Sequence, residues 1–285
     1  MLHTGLPSDA IDRLPTPKGV ALALTQACRR DDANLDEISS LVHTDPALSG
    51  RLLALANAAA LGGRNIASVE EAVGRMGLLR VSQVALAFSL IDQHSAGTCA
   101  NFDYAGFWNR SLLMAAASRA FGSLRNLGVA GDLFTVGLLA QIGCLALATA
   151  FPAAYSDLLA QDMERDALLA REQDGMGTDH LQLSVAMLEH WGIPTAYAQP
   201  FGLYEAPGSS TVAGGSTADQ RAQLARSAWQ LASVLAQDGS DAALDHPTCQ
   251  VALHWLDLER DVVLVQLQEV ESVWRVWLAL IARKS

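Results

Sequence analysis

The feature that most constrains this chain is its punctuation: residues that start helices recur along its length, each followed by apolar residues at three-to-four spacing. Asn34 precedes Glu37, and Ser68 precedes Glu71, at the spacing where a cap side chain and an acidic side chain satisfy the free N–H groups of a first turn. Asp45-Pro46, Asp103 and Asp179 read as further caps, and Thr16-Pro17 places a cap residue before a Pro at the first helical position. Stripes follow them: Ile38, Leu41 and Val42, then Leu48, Leu52 and Leu55, then Val81, Val84, Phe88 and Ile91. β-branched residues are scattered, whereas Ala and Leu dominate, and both lose little entropy in a helix. The expectation is an all-α, multi-helix globular fold.

The same signals divide the chain. A first helix is expected to reach about Arg30, and Gly62-Gly63 to end the region of the third. Gly131-Asp132 opens the most apolar segment, in which Phe134 to Phe151 carries no charge. Gly137, Gln141, Gly143 and two threonines interrupt it, and no Lys or Arg anchors its ends, so a central buried helix explains it better than a membrane span. Pro152 opens a helix to about Arg165, a short one follows over about Asp166 to Glu172, and Asp179 caps one over His180 to Trp191. Residues 206–217, APGSSTVAGGST, read as a flexible loop. Thr217 then caps a helix to about Gln237, and two more cover about Pro247 to Trp255 and Glu259 to Arg283. The expected organisation is a tail over 1–13 and a domain over 14–205, made of a helical subdomain (14–98) and a helical block (99–205). The 206–217 loop and C-terminal helices over 218–285, which complete the domain, follow.

Charge and cysteine usage narrow the function. The net charge is −11, from 30 acidic and 19 basic residues, and an acidic chain repels polyphosphate, which argues against nucleic acid as a partner. The densest basic run, Arg29-Arg30, is followed at once by Asp31-Asp32. Cys28, Cys99, Cys144 and Cys249 form no C-x-x-C pair. Cys28 and Cys144 lie in apolar stretches and are expected to be buried thiols, a reducing-compartment pattern. Met1 to Lys18 has no apolar core of a signal peptide, so the expected location is the cytoplasm. Neither G-x-S-x-G nor G-x-x-x-x-G-K-[ST] occurs, and His43, His94, His190, His246 and His254 show no ligand spacing.

Five segments, in order, carry a resemblance. They are Leu14-Pro15-Thr16-Pro17 with the stretch D-P-A-L-x-x-x-L-L-x-L-A-N from Asp45 to Asn57; Ile66 to Val73 running into Met76-Gly77-Leu78; Phe107-Trp108-Asn109-Arg110-Ser111; Gly137 to Gly143 with Phe151-Pro152; and Asp179-His180 followed by Leu188 to Pro194. Over about residues 14–205 the chain resembles the HDOD family, regulatory relatives of the HD-type phosphohydrolases often found in bacterial signalling proteins. The resemblance implies an all-helical fold similar to enzymes that hold one or two divalent metals with His and Asp and so activate a water against phosphate esters.

At the metal positions the chain departs from that pattern. Arg110 stands where the first ligand histidine would be, Ala140-Gln141 replaces the His-Asp pair, and Tyr204-Glu205 stands where paired histidines sometimes occur. His180 remains, and its ordinary reading is a helix-start histidine beside the cap Asp179. Ala and Arg do not ligate a divalent cation, Gln is a weak neutral ligand, and a catalytic metal needs about three protein ligands. The resemblance therefore implies a degenerate metal site with no catalytic residues, no metal ligands and no cofactor. The expected function is a non-enzymatic signal-transduction or adaptor protein acting through protein partners, among them nucleotide-signalling or regulatory proteins. A second expectation is a small-ligand sensor in which Arg110, Gln141 and His180 line the vestigial pocket and hold a nucleotide or cyclic dinucleotide, since Arg binds phosphate with a fixed fork. Against it stands the plainer reading that Arg110 fills the void and pairs with a carboxylate. A residual metal-dependent phosphodiesterase is the third.

Overall fold

The computed structural model describes residues 6, 8–11, 13–28, 30–59, 65–161, 163–204, 215–255 and 257–282. Along the chain the helices are α1 (Ser8–Ile11), α2 (Gly19–Ala27), α3 (Leu35–His43), α4 (Pro46–Ala59), α5 (Val69–Met76), α6 (Leu78–Gln93), α7 (Tyr104–Leu124) and α8 (Ala130–Leu139). They continue as α9 (Ile142–Ala150), α10 (Pro152–Leu159), α11 (Arg165–Met176), α12 (His180–His190), α13 (Thr195–Gly202), α14 (Thr217–Asp245), α15 (Pro247–His254) and α16 (Arg260–Ala282). No strand occurs among the described residues. The chain divides into two compact units, a smaller one of Thr16–Gln93 with Arg275–Ser285 and a larger one of Met1–Pro15 with His94–Trp274.

In the smaller unit α2 packs on α6, and α5 packs on α3 and α4. The caps are those the sequence announces. Asn34 accepts the Glu37 N–H at 3.0 Å, Ser68 accepts that of Glu71 at 3.1 Å, and Asp45 Oδ1 accepts those of Ala47 and Leu48 at 3.0 Å each. Each such cap is worth about 1 kcal/mol. The Asp45–Asn57 stretch is held by two further polar devices. Arg51 grips Asp92 through both fork nitrogens at 2.9 and 3.2 Å and lies over the Phe88 ring, which stacks on Trp277 at 4.7 Å. Asn57 donates to the carbonyls of Leu53 and Ile66 at 2.9 Å each and accepts the Ile66 N–H at 2.7 Å. This clamp seats Ile66 in a cluster with Ala56 and Ala72. A single residue, Gly77, separates α5 from α6, and its φ of +85° is one that a side chain would strain.

In the larger unit α7 packs against α8 and α14. Gly137 of α8 sits on Ala115 and Ser118 of α7, and Gly122 faces Leu133, so the two helices run antiparallel. A Cβ on Gly137 would come within 3.0 Å of the Ala115 Cα, which leaves no side-chain shift to relieve it. Further packing joins α12 to α9, α13 to α12 and α14, and α15 to α14.

Several expectations are corrected. The apolar segment is two helices, because Gly143 sends its N–H to Ser184 Oγ at 2.9 Å instead of continuing the ladder from α8. The stretch Ala130–Ala150 is long and apolar enough to cross a membrane, with a mean hydropathy of 1.9, yet 89% of its window is buried inside the protein. Pro17 does not start a helix: α2 begins at Gly19, and the Lys18 N–H goes to Ser89 Oγ of α6 at 3.2 Å. The helix opened by Pro152 stops at Leu159, and α11 reaches Met176, where Gly177 ends it at φ +79°. Ser216, not Thr217, caps α14, in a reciprocal box with Asp219, and α14 continues past Gln237 to Asp245 across a kink at Gly239. Cys28 and Cys144 are half-buried, whereas Cys99 and Cys249 are buried, and none of the four is in a disulfide. Burial, with Asp238 adding to it, pushes the Cys249 thiol up to about 11. Arg29, Gly62-Gly63, Glu205 and 206–214 lie outside the described residues.

Candidate functional site

Arg110, Gln141 and His180 all belong to the larger unit, but each has its own surroundings. His180 opens α12 and is buried; its cap, Asp179, accepts the Gln182 N–H at 2.8 Å. Its Nδ1 lies 2.6 Å from Glu172 Oε2, and its backbone N–H donates to the same oxygen at 2.9 Å. With Glu172 ionised, Nδ1 is the protonated nitrogen. Glu172 is fully buried, and its Oε1 meets no hydrogen-bond partner among the described residues. Burial first, then the neighbouring Cys144 and Glu172, hold the Tyr155 hydroxyl well above its ordinary range. A Cβ on Gly143 would run into the His180 carbonyl, so α9 meets α12 backbone to backbone at this point. The outcome is a buried latch joining α11 to α12 across the Gly177–Asp179 turn.

Glu172 escaped the reading of the sequence, although a signal was present. Leu169, Glu172 and Met176 share the buried stripe of α11, and a carboxylate on such a stripe requires a polar partner.

Gln141 sits at the break between α8 and α9, buried, and its Nε2 donates to the Tyr204 hydroxyl. Tyr204 is itself fully buried, its ring centroid 6.3 Å from that of Trp229 on α14, and its carbonyl accepts from Arg226 at 3.2 and 3.3 Å. Arg110, on α7, keeps 38% of its side chain exposed. Among the described residues its ion-pair partner is Asp103, whose Oδ2 stands at 4.0 Å, too long for a hydrogen bond, while Asp103 Oδ1 accepts the Gly106 N–H. The Arg110 guanidinium carbon stands 6.0 Å from the Trp229 ring centroid. An exposed pair of that length is worth about 0–1 kcal/mol.

These residues do not fit a hydrolytic metal. Among the described residues no group of three or more His, Cys, Asp and Glu is placed to hold one. Ala140 has no donor atom and the Gln141 amide nitrogen donates to Tyr204, which leaves His180 and its partner Glu172, too few donors for a catalytic metal that needs about three protein ligands.

Comparison with known proteins identifies the family and the fold. The HDOD domain model matches residues 14–207. The MmoQ response regulator from Methylococcus capsulatus str. Bath is 33% identical, with a TM-score of 0.57, covering 90% of this chain and 99% of that one. A candidate phosphohydrolase from Shewanella amazonensis SB2B shares the fold at 17% identity and a TM-score of 0.69, covering 97% and 99%. An HDOD domain protein from Geobacter sulfurreducens does so at 16% identity and 0.61, covering 96% of each chain. No curated protein matches the chain.

Proposed function

The chain belongs to the HDOD domain family, and from that premise we propose that it is a non-enzymatic, cytoplasmic signal-transduction protein of bacterial type that acts by binding other proteins. The observation that carries this reading is how the hydrolytic positions are used. Gln141 is tied to Tyr204 and His180 is latched to Glu172, so two of the three are committed to hydrogen bonding. A chain with that commitment and no hydrolytic ligand set passes its signal by contact. The 33% identity to a protein named as a response regulator supports the regulatory role. Affinity capture from native lysate, followed by reconstitution of the pair from purified components, tests it. A reproducible, purifiable partner is the expected result, and repeated capture of none would count against the reading.

A second reading, a small-ligand sensor, is favoured by one observation: Arg110 is a half-exposed cation whose fork makes no hydrogen bond among the described residues. A thermal-shift screen with nucleotides and cyclic dinucleotides tests it, because a ligand of the native state raises the midpoint.

A further inference from the structure

We propose that Arg110 and Trp229 form a binding site for a mononucleotide-type ligand, with its phosphate on the guanidinium and its flat ring against the indole. The inference rests on the ligand-sensor reading and narrows it to one place. Of the three residues expected to line a pocket, Gln141 and His180 are buried and already bonded to Tyr204 and Glu172. Arg110 alone keeps its donors. The Trp229 indole N–H, half-buried across from it on α14, makes no hydrogen bond among the described residues either. The two side chains therefore present donors and a ring face and no acceptor, a combination that selects a flat group bearing an oxyanion.

At 6.0 Å the guanidinium and the indole are too far apart to stack closely on each other. The fork lies back along the first turn of α7, where its Nη1 comes within 3.0 Å of the place a Gly106 Cβ would occupy, so the bare glycine makes space for it. Among the described residues the carboxylate paired with Arg110 is Asp103, whose Oδ2 lies 4.0 Å from Nη1 and opposes an anion. It faces one arm of the fork and leaves the remaining nitrogens for phosphate. The buried Tyr204 ring, bonded to Gln141, lies 6.3 Å from the indole and tilted by 58° to it.

Calorimetric titration of the full chain with guanosine monophosphate, inorganic phosphate and guanosine tests the site. Guanosine monophosphate is expected to bind, and phosphate or guanosine alone to bind at least about tenfold more weakly. Arg110→Met should weaken the nucleotide by at least about tenfold, the loss expected for a charge-assisted hydrogen bond, and leave guanosine unchanged. Asp103→Asn keeps the helix cap and removes the opposing charge, so it should tighten the nucleotide about two- to fivefold, a gain that a folding defect does not produce. Wild-type binding that survives Arg110→Met unchanged would overturn this site while leaving the ligand-sensor reading intact. No heat with any of the three compounds at millimolar concentration would overturn the site, and the broader thermal-shift screen would then decide that reading separately.

Discussion

The two most distinctive stretches of this molecule use polar residues in opposite ways. In the smaller unit the Asp45–Asn57 stretch spends all three of its key polar side chains on local architecture: Asp45 on two N–H groups, Arg51 on Asp92, and Asn57 on both backbone groups of Ile66. In the larger unit the three residues expected to line the vestigial pocket are divided. Gln141 and His180 are buried and bonded, to Tyr204 and Glu172, while Arg110 is part-exposed with its fork making no hydrogen bond among the described residues. A distinctive motif is therefore no guide to chemistry: the longest one here is structural, and the residue with capacity for a ligand lies in a weaker one.

Mutation should sharpen this contrast. The largest loss is expected for His180→Ala, which removes the ring that meets Glu172 Oε2 and leaves that buried carboxyl only the backbone N–H of residue 180; it should cost about 3–5 kcal/mol by denaturant unfolding. Gly143→Ala comes next, because its Cβ meets backbone at the His180 carbonyl; overpacking of this kind costs about 1–3 kcal/mol or more. Asn57→Ala should lose about 2 kcal/mol, since it frees the Ile66 N–H and carbonyl in a half-buried place. A result near zero would mean that the clamp is not what seats Ile66.

A smaller effect is expected in alkali. The Tyr155 pKa is raised in the folded protein, so above about pH 10 the unfolded chain loses this proton first and stability falls as pH rises. Tyr155→Phe should flatten that fall by up to about 1.4 kcal/mol per pH unit. The smallest effect is on the other side of the comparison: Arg110→Met should change stability by no more than about 0.5 kcal/mol, as for a surface site.

Much of the fold was legible because its signals are local. The caps at Asn34, Asp45, Ser68, Asp103 and Asp179 all accept the N–H groups that their spacing implied. What was not legible depends on tertiary contact. The break at Ala140-Gln141 needs Ser184 to take the Gly143 N–H, and nothing within the apolar run announces that. Thr16-Pro17 has the local chemistry of a helix start, but the Lys18 N–H is claimed by Ser89 of α6. At the candidate site the sequence identified Arg110, Gln141 and Tyr204 but not the Trp229 indole beside Arg110. Trp229 lies on α14, far along the chain, and only the packing of α14 on α7 brings it to Arg110.

We propose that this chain holds no hydrolytic metal, with Gln141 and His180 given over to structure. Metal content of the purified full chain, measured together with phosphodiesterase turnover in added manganese and magnesium, tests this most simply. No stoichiometric metal and no turnover above the protein-free control are expected. About one or two metal ions per chain, with turnover that their removal abolishes, would contradict it.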